Sequence, residues 1–156
     1  MKKVIIIVIS IWLLGFAVYV FASQDSGNCS PSGKSKSLTM PNNEIICAKL
    51  AVTAGEKSSG LSGVSAMVDY DSMLFIYEEP QSVSFWMNEM KFALDIIYLD
   101  ENKTVLEIYK NEKPCESGNV CPIIPAETSA VKYVLELPAG KADLFGLKIN
   151  LKIKWQ

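Results

Sequence analysis

The sequence contains no histidine and no arginine. Without histidine there is no imidazole for general acid–base catalysis or metal ligation, and no Ser-His-Asp or Cys-His nucleophile system. Without arginine there is no bidentate guanidinium clamp for phosphate or carboxylate. All 15 basic side chains are therefore lysines, set against 17 Asp and Glu, for a net charge of −2 and a pI near 5.2. That balance counts against nucleic acid as a partner, because such binding depends on neutralising phosphates. No glycine-rich phosphate loop follows any candidate strand. Asp69-x-Asp71-x-Met73 opens like a calcium loop but lacks the third oxygen ligand and the glycine. No cofactor and no metal are expected.

What is present is apolar. Hydrophobic residues make up 49% of 156 residues, enough for one compact domain and a short extension. Lys2 and Lys3 precede an uncharged run from Val4 to Ala22, 19 residues without a polar face, whose natural solvent is lipid. The lysines should stay cytoplasmic, which places everything beyond Ala22 across the membrane. Val20-Phe21-Ala22, followed by Ser23-Gln24-Asp25, suits signal-peptidase cleavage, whereas the length of the run suits a retained span. Residues 1–22 are thus a signal peptide or a transmembrane anchor, with residues 4–22 in the membrane if uncleaved. Residues 23–43, rich in Ser, Gly, Pro, Asn and Lys, read as a flexible linker. Residues 44–156 form the expected extracytoplasmic domain, membrane-anchored or secreted.

All four cysteines follow the membrane segment, and an even count in an oxidising compartment reads as two disulfides. Cys115 and Cys121 enclose a short loop flanked by Pro114 and Pro122 and are paired with each other, leaving Cys29 with Cys47. Chain entropy assigns roughly 2 kcal/mol to the shorter ring and about 3 kcal/mol to the longer. Thiol exchange through Cys115 and Cys121 would favour Cys-x-x-Cys at a helix N-terminus, which this spacing does not offer. A zinc site would require the four thiolates to be reduced.

The body reads as mainly β. Alternation marks strands at 48–52, 82–87, 131–137 and 149–153, the last with Ile149, Leu151 and Ile153 facing inward. Met73–Tyr77 and Leu94–Leu99 are apolar on both parities, as in strands covered on both faces, and residues 104–109 complete a hairpin with the latter. Helices fit at Ala139–Phe145, between Pro138 and Gly146, and as one turn near Glu56–Leu61. The economical solution is a small single-domain barrel or sandwich of about seven strands with one or two short helices.

Gly60-Leu61, Met73-Leu74-Phe75, Phe85-Trp86-Met87, Leu94-Asp95-Ile96-Ile97, Pro114-Cys115 with Cys121-Pro122, and Tyr133-Val134-Leu135-Glu136 with Ala139-Gly140 occur in one order. Over Ala48 to Ile153 this run resembles the domain of unknown function family 192, uncharacterised extracytoplasmic or membrane-anchored domains. Asn88 and Glu89 stand where the family has a basic residue and then Asn, and Ser62-Gly63-Val64 stands where it has Met-x-Arg. Any anion binding by those basic positions is therefore lost here. The resemblance implies the fold and the Cys115–Cys121 bridge, and it brings no established activity.

Two side chains break their local pattern. Asp95 interrupts an apolar strand, so its carboxylate either faces a pocket or accepts structural hydrogen bonds. Trp86 takes the polar parity of its strand, beside Ser82, Ser84 and Asn88, as expected of a covered ring or of a recognition face. Trp86, Asn88, Glu89 and Asp95 are the candidate binding residues, and no catalytic residue is assigned. The expected function is non-enzymatic binding of an envelope protein, peptide or glycan; the alternative is a carboxylate-only hydrolase of envelope polymers acting through Asp95.

Overall fold

The computed structural model describes residue 29, residues 33–115 and residues 120–155. The expected leader at 1–22 lies outside the described residues, and no helix among those described is long and apolar enough to cross a membrane. The elements run β1 (Ser35–Thr39), β2 (Ile45–Ala51), α1 (Ala54–Ser59), β3 (Ser72–Gln81), β4 (Ser84–Trp86), β5 (Leu94–Leu99), β6 (Val105–Glu112), β7 (Ile123–Pro125), β8 (Val131–Pro138) and α2 (Lys141–Leu144). The fold is mainly β, as the alternation implied. Six strands form one sheet in the order β1-β2-β3-β8-β5-β6, and β4 pairs with β7 in a separate two-stranded ribbon. All pairings are antiparallel except β2–β3, which is parallel and takes α1 as its crossover.

Strands apolar on both parities need cover on both faces. β3 and β5 are such strands, β8 lies between them, and each face of the sheet carries its own core. On one face Leu74, Ile97, Leu135 and Leu137 pack with Ala142 and Phe145 around α2. On the other, Phe75, Ile96, Tyr98 and Val134 pack under Leu61 and the ribbon residues Val83 and Ile124. Every residue of β5 is buried. Each such aliphatic side chain contributes about 1.5–3 kcal/mol of transfer free energy.

The stretch read as linker contains β1, because Leu38 and Met40 are buried against the first core despite their polar neighbours. Residues 149–153, expected as a strand, are irregular. Asn150 has φ 70° and the Leu151 amide donates to the Lys148 carbonyl at 3.1 Å, which closes a turn. Ile153 is buried there, while Ile149 is 58% exposed. This segment reaches both edges of the sheet through isolated bridges, Lys154 to Thr39 and Lys152 to Thr104. Among the described residues no continuous ladder closes the sheet, so the architecture is sandwich-like and not a closed barrel.

Both expected disulfides are formed, Cys29–Cys47 and Cys115–Cys121, with Cα separations of 5.2 and 5.5 Å. At the first bridge the Cys47 amide donates to Asp71 Oδ2 at 2.8 Å, so the acidic pair near residue 70 supplies a structural acceptor.

α1 begins with a capping box. The Glu56 amide donates to Thr53 Oγ1 at 3.2 Å, and Glu56 Oε2 accepts from the Thr53 amide at 3.0 Å. The helix ends at Gly60, whose φ of 49° and ψ of −129° lie outside the regions open to side-chain-bearing residues. Gly60→Ala should therefore destabilise the fold by about 1–3 kcal/mol in urea unfolding. A loss under roughly 0.5 kcal/mol would show that this backbone geometry is not needed.

Candidate functional site

Asp95 is 1% exposed. Its Oδ1 accepts from the Asn111 amide at 2.9 Å and its Oδ2 from the Ala142 amide at 2.9 Å. Both carboxylate oxygens are thus occupied by backbone donors, one tying β5 to β6 and the other seating α2. Asp95 reads as a structural carboxylate, with neither oxygen turned toward a substrate.

Asn88 and Glu89 lie in the turn between β4 and β5. The Asn88 carbonyl accepts from Ser62 Oγ at 3.2 Å, and the Glu89 carbonyl accepts from the Gly63 amide at 3.1 Å. Their backbones thus hold the turn that follows α1, and Asn88 Oδ1 lies 3.6 Å from the Cys121 sulfur. Neither residue lines the cavity described next.

Trp86 stays on the outer parity, 60% exposed, opposite Ile123 on β7. Its neighbour Phe85 turns inward and meets Phe75 edge to face at a centroid distance of 4.9 Å. The aromatic contacts continue from Phe85 to Tyr98 at 6.1 Å and from Tyr98 to Tyr109 at 5.7 Å. Tyr98 Oη donates to the Ile124 carbonyl at 2.8 Å and Tyr109 Oη to the Pro125 carbonyl at 3.0 Å. These contacts fasten the ribbon over the sheet.

Between the ribbon, α1 and β3 a cavity of about 220 Å³ opens, lined among others by Lys57, Phe75, Tyr77, Phe85, Trp86 and Glu136. The shallow surface hollow at Lys36, Thr39, Ile45 and Trp155 is larger, about 410 Å³, but no buried polar group faces it. Glu136 is 5% exposed, and its Oε2 is buried with no hydrogen-bond partner. Burial pushes its carboxyl up to about 8, so it holds its proton at neutral pH. Tyr77 is pushed up to about 12 by burial and by Glu136, and the Lys57 ammonium sits 4.6 Å from the centre of the Tyr77 ring.

Glu136, Lys57 and Tyr77 were not among the sequence candidates. Alternation placed Glu136 outside together with Val134. Yet Val134 on that same parity signalled that this face of β8 is covered too. Among the described residues, no three His, Cys, Asp or Glu side chains gather closely enough to hold a metal ion.

A family model described as "Uncharacterized ACR" (DUF192) matches residues 37–155. A protein of unknown function from Novosphingobium aromaticivorans superposes with a TM-score of 0.67 at 27% identity, covering 78% of this chain and 84% of that one. A candidate transcription regulator from Sinorhizobium meliloti superposes with a TM-score of 0.66 at 25% identity, covering 78% of this chain and 92% of that one. No curated protein matches the sequence.

Glu136 gives the fold a pH dependence of defined sign. Its carboxyl titrates near 8 in the folded chain against an ordinary value of 4.5, so across that interval the unfolded chain has lost a proton that the folded chain keeps. Its contribution to stability is complete below about 4.5 and falls as pH rises to about 8. Glu136→Gln should remove that decline and leave the variant more stable at pH 8, by on the order of a few kcal/mol. Urea unfolding at pH 5 and pH 8 reads the difference, and parallel losses in both proteins would contradict it.

Proposed function

As the chain belongs to this DUF192 family, we propose that it is a non-catalytic binding module of the cell envelope. In this reading the leader at 1–22 directs the domain across the membrane and either anchors it there or is removed. The two disulfides point to a non-cytoplasmic environment, which agrees with that route. The module captures an envelope protein, peptide or glycan in the cavity beneath Trp86.

The observation that carries this reading is the pairing of an exposed Trp86 with a cavity that ends on an unpartnered Glu136. A buried polar group without a partner costs stability, and a ligand that satisfies it recovers that cost. Drug-sized ligands fill roughly 300–1,000 Å³. A cavity of about 220 Å³ suits one side chain or one ring of a larger partner. Hydrolysis of a glycan needs two carboxylates across the scissile bond. Glu136 is the one acid among the described lining residues, and Asp95 lies on the opposite face of the sheet with its oxygens occupied. Binding without turnover therefore fits better than the hydrolase alternative.

The test is binding of envelope-derived peptides and glycans to the full chain, followed by calorimetry, with Trp86→Ala alongside. The variant should lose about tenfold or more in affinity for whatever ligand the parent binds, as truncation of a central aromatic anchor does. Unchanged affinity in Trp86→Ala would place the binding surface elsewhere.

A further inference from the structure

The chemistry around Glu136 is uneven in a way that selects a ligand. Phe75, Tyr77, Phe85 and Trp86 all line its cavity, and aromatic faces carry a negative potential that attracts cations. One ring already shows this: Tyr77 holds the Lys57 ammonium at 4.6 Å from its centre. Glu136 lines the cavity and its buried Oε2 receives no donor from the described residues, so this wall offers an unused carboxyl beside four ring faces. An ammonium group carries three donors and no acceptor.

We infer that this cavity is a receptor for a single primary ammonium group, of the kind that ends a lysine side chain, seated against Glu136 between the aromatic walls. The inference rests on the reading of the cavity as the binding site and names what it takes. An anionic group could accept from the protonated carboxyl but would lie against the negative faces of the surrounding rings. A neutral hydroxyl would hydrogen-bond the carboxyl without charge attraction to it or to the ring faces.

The proton balance is simple. As the ammonium enters, the Glu136 carboxyl releases its proton to solvent, and the cavity exchanges a neutral acid for a neutral ion pair. Buried pairs of this kind hold when geometry and further contacts are good, which the ring faces supply. The other titratable groups facing Glu136 are Tyr77 from β3 and Tyr98 from β5, both held neutral by burial, and Lys57 from α1 at the rim. Lys57 is the built-in competitor. Removing its charge should favour an incoming ammonium.

The experiment titrates the full chain with Nα-acetyl-lysine amide, with its neutral counterpart Nα-acetyl-norleucine amide, and with N-acetylglucosamine, followed by Trp86 emission and by amide NMR shifts. The lysine derivative should bind about tenfold or more tightly than the norleucine derivative. Glu136→Gln should erase that preference, and Lys57→Met should tighten binding of the lysine derivative about threefold. Equal or tighter binding of the norleucine derivative or the sugar would overturn the ammonium preference while leaving the cavity as the binding site. If none of the three binds, both readings fall. Should Glu136→Gln fail to fold, the ligand comparison in the parent and the Lys57→Met shift decide the matter, and a Lys57→Met variant that loses the lysine preference would overturn it.

Discussion

Cover on both faces of the central sheet is the constraint from which the rest of this structure follows. β8 lies between β3 and β5, and residues 134–137 are all buried. A strand in that position has no wet side, so any ionisable residue on it must find donors or keep its proton. Two carboxyls meet this condition on adjacent strands with different outcomes. In the β5–β8 register Ile96 lies opposite Glu136 and Asp95 opposite Leu137, so the two acids project from opposite faces. Asp95 meets two backbone amides. Glu136 meets a cavity and remains unpartnered.

The cavity exists because the second face is roofed by a narrow ribbon and a short helix. Val83 and Ile124 bury the ribbon's inner side, and the Tyr98 and Tyr109 hydroxyls hold it to β5 and β6 through carbonyls of β7. β4 and β7 span three residues each, which leaves the side toward α1 open. Trp86 stands at that opening, and Gly60 ends α1 with its Cα near the Phe75 ring, where an added Cβ would lie 3.5 Å from the ring edge. Core packing and site geometry are thus set by the same aromatic contacts. Changing Phe85 would disturb both.

Much of this was legible in the residues. Alternation located β2, β4 and β8, double-sided apolar runs located β3 and β5 at the interior, and the hairpin after β5 located β6. Cysteine spacing pointed to both bridges. The elements that escaped are those whose burial depends on distant partners. β1 carries one fully buried residue, Leu38, in a polar setting, so its composition resembles linker. β7 is a three-residue strand ending in Pro125. Residues 149–153 alternate correctly in sequence, but the left-handed Asn150 and its turn defeat the pattern. The site was half legible. Trp86 stood out because it broke parity, and Asp95 stood out because it broke an apolar run. Glu136 did neither, since an acid at an outward position of a half-buried strand is ordinary. Its placement depends on the ribbon and on α1, which sequence periodicity in β8 does not encode. The family resemblance includes Glu136 without assigning it a role.

Titration of the Glu136 side-chain carboxyl by carbon NMR in the unliganded chain probes that buried acid without an intermediary. Its burial predicts a midpoint near 8, with the resonance in its protonated position at pH 6. A midpoint at the ordinary glutamate value of 4.5 would mean that Glu136 is solvated or partnered, and would contradict both its burial without donors and the site built upon it.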